Sequence, residues 1–129
     1  GGRGIPTDLR PLLEQAAASC GDLAVRWDLA PVTVPSLVAR QLAACAGEAL
    51  RNIARHAGTG QADLAVTGDE GWAIVTITDH GRGFDPATVP ASRRGLRESI
   101  TGRMLAAGGR SAVASHPGAG TTVTVSWPA

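Results

Sequence analysis

The chain has 129 residues, enough for one domain with a core of its own. Twelve basic against 11 acidic side chains leave a formal charge of +1 and a pI near 8.1, which excludes the strong electrostatic footprint of a nucleic-acid or acidic-membrane ligand. Although 43% of the residues are hydrophobic, no apolar run approaches the ~20 residues that span a bilayer, and no secretory signal pattern opens the chain.

In chain order, Gly1-Gly-Arg-Gly4 is expected to be a flexible leader without chemistry. Pro6 to Ser19 is predicted as a helix, since Leu9, Leu12, Leu13 and Ala16 fall at helical spacing and Pro6 suits a first turn. Leu23 to Asp28 alternates Leu23, Val25 and Trp27 against Ala24, Arg26 and Asp28, the pattern of a half-buried strand at a sheet edge. Pro31 and Pro35 close it off. A long helix follows from Pro35 to Ala57, with Leu42, Cys45, Ala46, Ala49, Ile53 and Ala57 on one apolar face and Gly58-Thr-Gly60 as its stop. Cys45 on that face reads as a small core residue, and Cys20 and Cys45 together lack both metal-ligand spacing and the number for a disulfide framework.

Gln61 to Thr67 and Trp72 to Asp79 are predicted as the two strands of a hairpin around Gly68-Asp-Glu-Gly71. Alternation in the second puts Ala73, Val75, Ile77 and Asp79 on one face, so a carboxylate ends an apolar row. Phe84 to Arg94, with Pro86 and Pro90, is predicted as a mobile loop. Gly95 to Gly108 is predicted as the last helix, with Leu96, Ile100, Met104 and Ala107 as its core stripe. Arg110 to Ser115 and Thr121 to Trp127 close the chain as strands, and Thr121 heads the row of Val123, Val125 and Trp127.

Two stretches carry candidate chemistry. Spacings of four, three and seven bring Glu48, Asn52 and Arg55 onto one stripe beside the apolar face of the long helix. A carboxylate, a neutral amide oxygen and a cation suit a Mg²⁺-bound polyphosphate, and they equally suit a solvated helix face. Asp79-His-Gly-Arg-Gly-Phe84 offers a buried acid that needs a donor, followed by glycines that let backbone approach closely; a hairpin turn with a capped Asp has the same residues.

Glu48-x-x-x-Asn52-x-x-Arg55-His56-Ala57, then Asp79-x-Gly81-x-Gly83-Phe84, Gly95-Leu96-Arg97 and Gly118-x-Gly120-Thr121-Thr122, taken together, resemble the ATP-binding domain of the GHKL superfamily. That superfamily holds gyrase, a heat-shock chaperone, histidine kinases and MutL. The likeness is greatest to the catalytic domain of sensor histidine kinases that work with NarL/LuxR-type response regulators, and it runs from about Leu37 to Pro128. It implies a two-layer α/β sandwich, the Bergerat fold, with a mixed sheet of about five strands covered on one face by three helices. Residues 1–20 would be a leader and connecting helix, and 21–129 the catalytic domain.

The same resemblance implies ATP and Mg²⁺ as ligands. Asp79 would accept from the adenine amine, with Gly81 and Gly83 letting the chain pass the base and Thr121 bonding Asp79 or the base; as an ordinary strand residue, Thr121 would need no ligand. Asn52 would give its oxygen to Mg²⁺ and Arg55, where a lysine is commoner, would reach the phosphates. His56 would set a ring against the purine or sit at the core boundary. Gly95 and Leu96 would open the last helix toward phosphate, with Arg93, Arg94 and Arg97 as added charge or as a solvated cluster. Glu48 would activate water, as in hydrolytic members, or orient the metal's water shell.

None of His56, His80 and His116 carries the His-Asp or His-Glu pair of a phospho-acceptor helix. The implied partners are therefore a dimerisation and phospho-acceptor domain of the same kinase and a response regulator, with no nucleic acid. The full-length kinase is expected as a homodimer and the isolated domain as a monomer, in the cytoplasm, with a parent protein either soluble or membrane-anchored. An anti-sigma-factor serine kinase, a stand-alone ATPase of the gyrase or MutL kind with Glu48 as base, and a non-binding interaction module are the competing expectations.

Overall fold

A computed structural model describes residues 4–56, 58–83, 85 and 91–129, and of residues 91–93 the backbone alone. Among them run β1 (Pro6–Asp8), α1 (Leu9–Ala18), β2 (Ala24–Leu29), β3 (Thr33–Pro35), α2 (Ser36–His56), β4 (Gln61–Asp69), β5 (Trp72–Asp79), α3 (Ala91–Ala107), β6 (Arg110–Ser115) and β7 (Thr121–Trp127). Five strands form one sheet in the order β2-β4-β5-β7-β6, parallel between β2 and β4 and antiparallel elsewhere. The three helices pack on one face of it, giving the expected α/β sandwich with a mixed sheet.

The sheet obeys its alternation. Ala62, Leu64 and Val66 on β4, Ala73, Val75 and Ile77 on β5, and Val123 and Val125 on β7 are all buried under the helices. Their neighbours Thr67, Ile74, Thr76, Thr122 and Thr124 face the open side, exposed or half-buried. The β4–β5 turn is tighter than expected. Asp69 pairs with Trp72, which leaves Glu70-Gly71 as a two-residue loop, with Gly71 at φ +85. Strand β2 lies at the sheet edge as predicted, shifted by one residue at each end.

Helix α2 is the centre of the helical layer, packed against α1, α3 and the sheet. Its buried set is wider than the predicted face: Val38, Ala39, Ala43 and Leu50 join Leu42, Cys45, Ala46, Ala49 and Ile53. A helix enclosed on three sides needs small or apolar residues around most of its circumference. Residue 57, its predicted last position, lies outside the described residues.

Two expectations at element starts are corrected. The first helix begins at Leu9 rather than Pro6, because Pro6 to Asp8 pair antiparallel with Thr33 to Pro35. Asp8 then caps α1 by accepting from the Arg10 N–H at 3.1 Å. Leu9 and Leu13 of α1 are fully buried in the common core. The last helix begins at Ala91, a turn before Gly95, so part of the predicted Phe84 to Arg94 loop is helical; Phe84 and residues 86–90 lie outside the described residues. Its end is as expected, with Gly108 at φ +79 and the Gly109 N–H donating to the Met104 carbonyl at 2.7 Å.

Candidate functional site

On α2 the predicted stripe opens on a cleft. Glu48, Arg51, Asn52, Arg55 and His56 line it from one side, and Gly95 and Leu96 of α3 from the other, around about 260 Å³. Arg51 was not among the expected residues, although it stands next to Asn52 and three residues after Glu48. Its guanidinium lies over Gly47, where an added Cβ would come within 3.1 Å of Nη1. That contact turns the Arg51 guanidinium toward α1, so the cleft gathers the Arg55 guanidinium, an amide and an imidazole beside the Glu48 carboxylate, a set suited to a metal-bound phosphate.

Gly95 does not open α3. With the helix starting at Ala91, its N–H groups without intrahelical acceptors lie before Arg94, and Gly95 contributes bare backbone to the cleft wall. Nothing would touch a Cβ there. Arg94 and Arg97 are exposed and do not line the cleft, and the Arg93 side chain lies outside the described residues.

Glu48 is engaged across the helix pair. Its Oε1 accepts from Ser99 Oγ at 2.9 Å and from Arg103 Nε at 3.2 Å, while Arg103 Nη1 donates to Gln41 Oε1 at 3.3 Å. Cys45 sits between Gln41 and Glu48 on the same seam, with its thiol toward the Ile100 carbonyl. Burial and the neighbouring Glu48 charge push that thiol up to about 11.

The second group lies where β5, β7 and β6 end. Among the described residues the buried polar or charged side chains are Asp79, Ser115 and Thr121, at 3%, 3% and 9% exposure. Strand register sets Asp79 opposite Thr121 and Thr121 opposite Ser115, so all three stand in one row across three strands. Asp79 Oδ1 accepts the Gly81 N–H at 2.8 Å. Ser115 Oγ lies 2.8 Å from Thr121 Oγ1 and donates to the Gly120 carbonyl at 2.9 Å. Alternation alone puts Ser115 on that inner row, but its partner sits on another strand, which is why sequence reasoning passed it over.

The two glycines after Asp79 have separate tasks. Gly81 supplies the N–H that holds the carboxylate. Gly83, at φ +58, turns the chain against the loop before β7, where an added Cβ would overlap the His116 carbonyl oxygen. Gly118 seals that approach by donating to the Arg82 carbonyl at 2.7 Å. Asp79 does not line the Asn52 cleft; the two groups are separate among the described residues.

Among those residues no three His, Cys, Asp or Glu side chains converge as an all-protein metal cage. Asn52 offers a different chemistry. A half-buried amide, whose oxygen is a hard neutral ligand, one helical turn from the Glu48 carboxylate fits a Mg²⁺ ion that takes its other ligands from water and from phosphate. No described helix is long and apolar enough to cross a membrane.

The family described as "Histidine kinase-, DNA gyrase B-, and HSP90-like ATPase" matches residues 38–129. Among solved structures, the histidine kinase domain of the Erythrobacter litoralis EL346 blue-light activated histidine kinase superposes with a TM-score of 0.71 at 23% identity, over 94% of this chain and 61% of that one. The ATP binding domain of PrrB from Mycobacterium tuberculosis gives 0.70 at 20% identity, over 95% and 94%. Full-length ShkA in complex with AMPPNP gives 0.69 at 18% identity, over 96% of this chain and 30% of that one. The chain therefore spans about three-fifths of the Erythrobacter domain and less than a third of ShkA. No curated protein sequence matches it.

Proposed function

The chain belongs to the histidine kinase-, DNA gyrase B- and HSP90-like ATPase family, and from that premise we propose that it is the ATP-binding catalytic domain of a two-component sensor histidine kinase. The observation that carries this reading is the buried row of Asp79, Thr121 and Ser115 at the end of an otherwise apolar sheet face. The Gly81 N–H meets Oδ1 of this buried carboxylate, and its remaining acceptor sites suit a second donor, which an adenine amine is.

In this reading the base lies at Asp79 and Thr121, and the phosphates extend into the cleft of Asn52 and Arg55. Mg²⁺, held by Asn52 and phosphate oxygens, would supply charge neutralisation. The Arg55 guanidinium orients the triphosphate and offsets its charge, which is most of what phosphoryl transfer asks of a protein. A histidine nitrogen on the dimerisation domain then attacks the γ-phosphorus in line, and the bond to the β-phosphate oxygen breaks to release ADP. A response regulator receives the phosphoryl group next. The order and spacing of the motif boxes favour partners of the NarL/LuxR class.

Glu48 favours kinase over stand-alone ATPase, because Ser99 and Arg103 already occupy its Oε1. The test is titration calorimetry of this domain with Mg-ATP, followed by phosphotransfer in the parent kinase carrying its histidine helix. Saturable binding that Asp79→Asn weakens is expected. Absence of binding, or binding indifferent to that change, would overturn the reading.

A further inference from the structure

Asp79, Thr121 and Ser115 stand side by side on three adjacent strands, and the direction of the protons along this row follows from its distances. A serine hydroxyl has one proton to give. Ser115 Oγ lies 2.9 Å from the Gly120 carbonyl oxygen, which only accepts, and 2.8 Å from Thr121 Oγ1. Both contacts are hydrogen bonds when Ser115 donates to the carbonyl and Thr121 donates to Ser115. The Thr121 proton is then committed toward β6, and on the Asp79 side the hydroxyl presents lone pairs.

We propose that Ser115 is a positioning residue that sets base selectivity, by holding Thr121 as an acceptor beside the Asp79 carboxylate. Two acceptors on one ledge take a purine that carries an amine at its 6-position. They turn away a purine with a carbonyl there, whose oxygen would face a carboxylate and a hydroxyl lone pair in a buried setting. This rests on the nucleotide reading above and adds to it the residue that keeps the ledge from reversing polarity. Without Ser115 the Thr121 hydroxyl is free to rotate and donate, and a carbonyl then finds a partner.

The geometry of the surrounding loop keeps the arrangement in place. Gly120 is at φ +77, and an added Cβ would overlap the Asp79 carbonyl oxygen, so the carbonyl that takes the Ser115 proton is fixed by backbone packing.

The experiment is competition binding of ATP against inosine triphosphate, which differs at the purine 6-position and its neighbouring ring nitrogen. It is run on the wild-type domain, Ser115→Ala, Thr121→Val and the double variant, with circular dichroism to confirm folding. Ser115→Ala is expected to lower the ATP-to-inosine-triphosphate affinity ratio about tenfold or more, the effect of one misplaced buried hydrogen bond. Ser115→Thr, which keeps the hydroxyl, should hold the ratio near wild type. In the double variant the two changes should not add, since both act through one hydroxyl. Should Ser115→Ala not fold, Ser115→Cys carries the same expectation, because a thiol is a weak acceptor. An unmoved ratio in a folded variant, or full additivity, overturns the role of Ser115 while leaving ATP binding intact. A wild-type domain that binds neither triphosphate overturns the nucleotide reading and this inference with it.

Discussion

Ser99 on α3 donates its hydroxyl proton to Glu48 on α2 across 2.9 Å, one turn before Asn52 on the same helix. Arg103 reinforces the contact from the next turn of α3. The α2–α3 seam, and with it both walls of the Asn52 cleft, is tied at this carboxylate. Glu48→Ala should lower the melting temperature by several degrees, about 1–2 kcal/mol, since it strips a half-buried hydroxyl and a guanidinium of their acceptor. Glu48→Gln keeps an acceptor oxygen and should melt within about 1 kcal/mol of wild type. Thermal denaturation of the three proteins is the measurement, and equal melting of Glu48→Ala and wild type would remove the tether from the account.

Asn52 should matter through the metal. Asn52→Ala is expected to weaken Mg-ATP binding by roughly 10- to 100-fold and metal-free ATP by only about threefold, because Arg55 is left in the cleft to meet the phosphates. Titrations with and without a chelator separate the two. A uniform loss under both conditions would point to packing instead.

Asp79→Asn should keep the fold and lose the ligand. The amide oxygen still accepts the Gly81 N–H, while the new NH₂ faces an adenine amine and repels it. ATP affinity should fall about tenfold or more, by the penalty for an unpaired buried donor. Calorimetry reads the affinity and the far-ultraviolet spectrum reads the fold.

Gly83→Ala and Gly120→Ala should destabilise without any ligand present. Each residue has positive φ, and a Cβ would overlap the carbonyl oxygen of His116 in one case and of Asp79 in the other. Strain plus displacement of packed backbone should cost about 2–4 kcal/mol, seen as a lower urea midpoint. Gly118→Ala, also at positive φ but with open space around it, should cost less.

The Cys45 thiol gives the domain an alkaline limit. Its value is pushed from 9.0 to about 11 in the folded state. As pH climbs past about 9 the unfolded thiol ionises while the folded one stays protonated, so the unfolded state binds fewer protons and stability falls until about pH 11. The span of 9.0 to about 11 corresponds to roughly 2–3 kcal/mol. Cys45→Ala should remove this decline from stability curves taken between those limits, and a thiol reagent at neutral pH should leave Cys45 unmodified in the native protein.

Much of the layout was legible in the residues. The faces of β4, β5 and β7, the stop of α3 at Gly108, and the placing of Glu48, Asn52 and Arg55 on one stripe all follow from periods of 2 and 3.6, which are local properties of the chain. The starts of α1 and α3 were not legible in the same way. Pro6 to Asp8 left the helical pattern because Thr33 to Pro35 offered a strand partner more than 20 residues away, and propensity yields to such pairing.

Local periodicity therefore determined which side chains point inward, including the acid at the head of the β5 row and the threonine at the head of the β7 row. Only the tertiary structure decided what each of them meets. Strand order brought Ser115 beside Thr121, and helix packing gave Glu48 to Ser99 and Arg103 and added Arg51 to the cleft. A side chain's direction is set by the backbone of its own element, whereas its partner depends on contacts between elements far apart in the chain, which no pattern within one segment records.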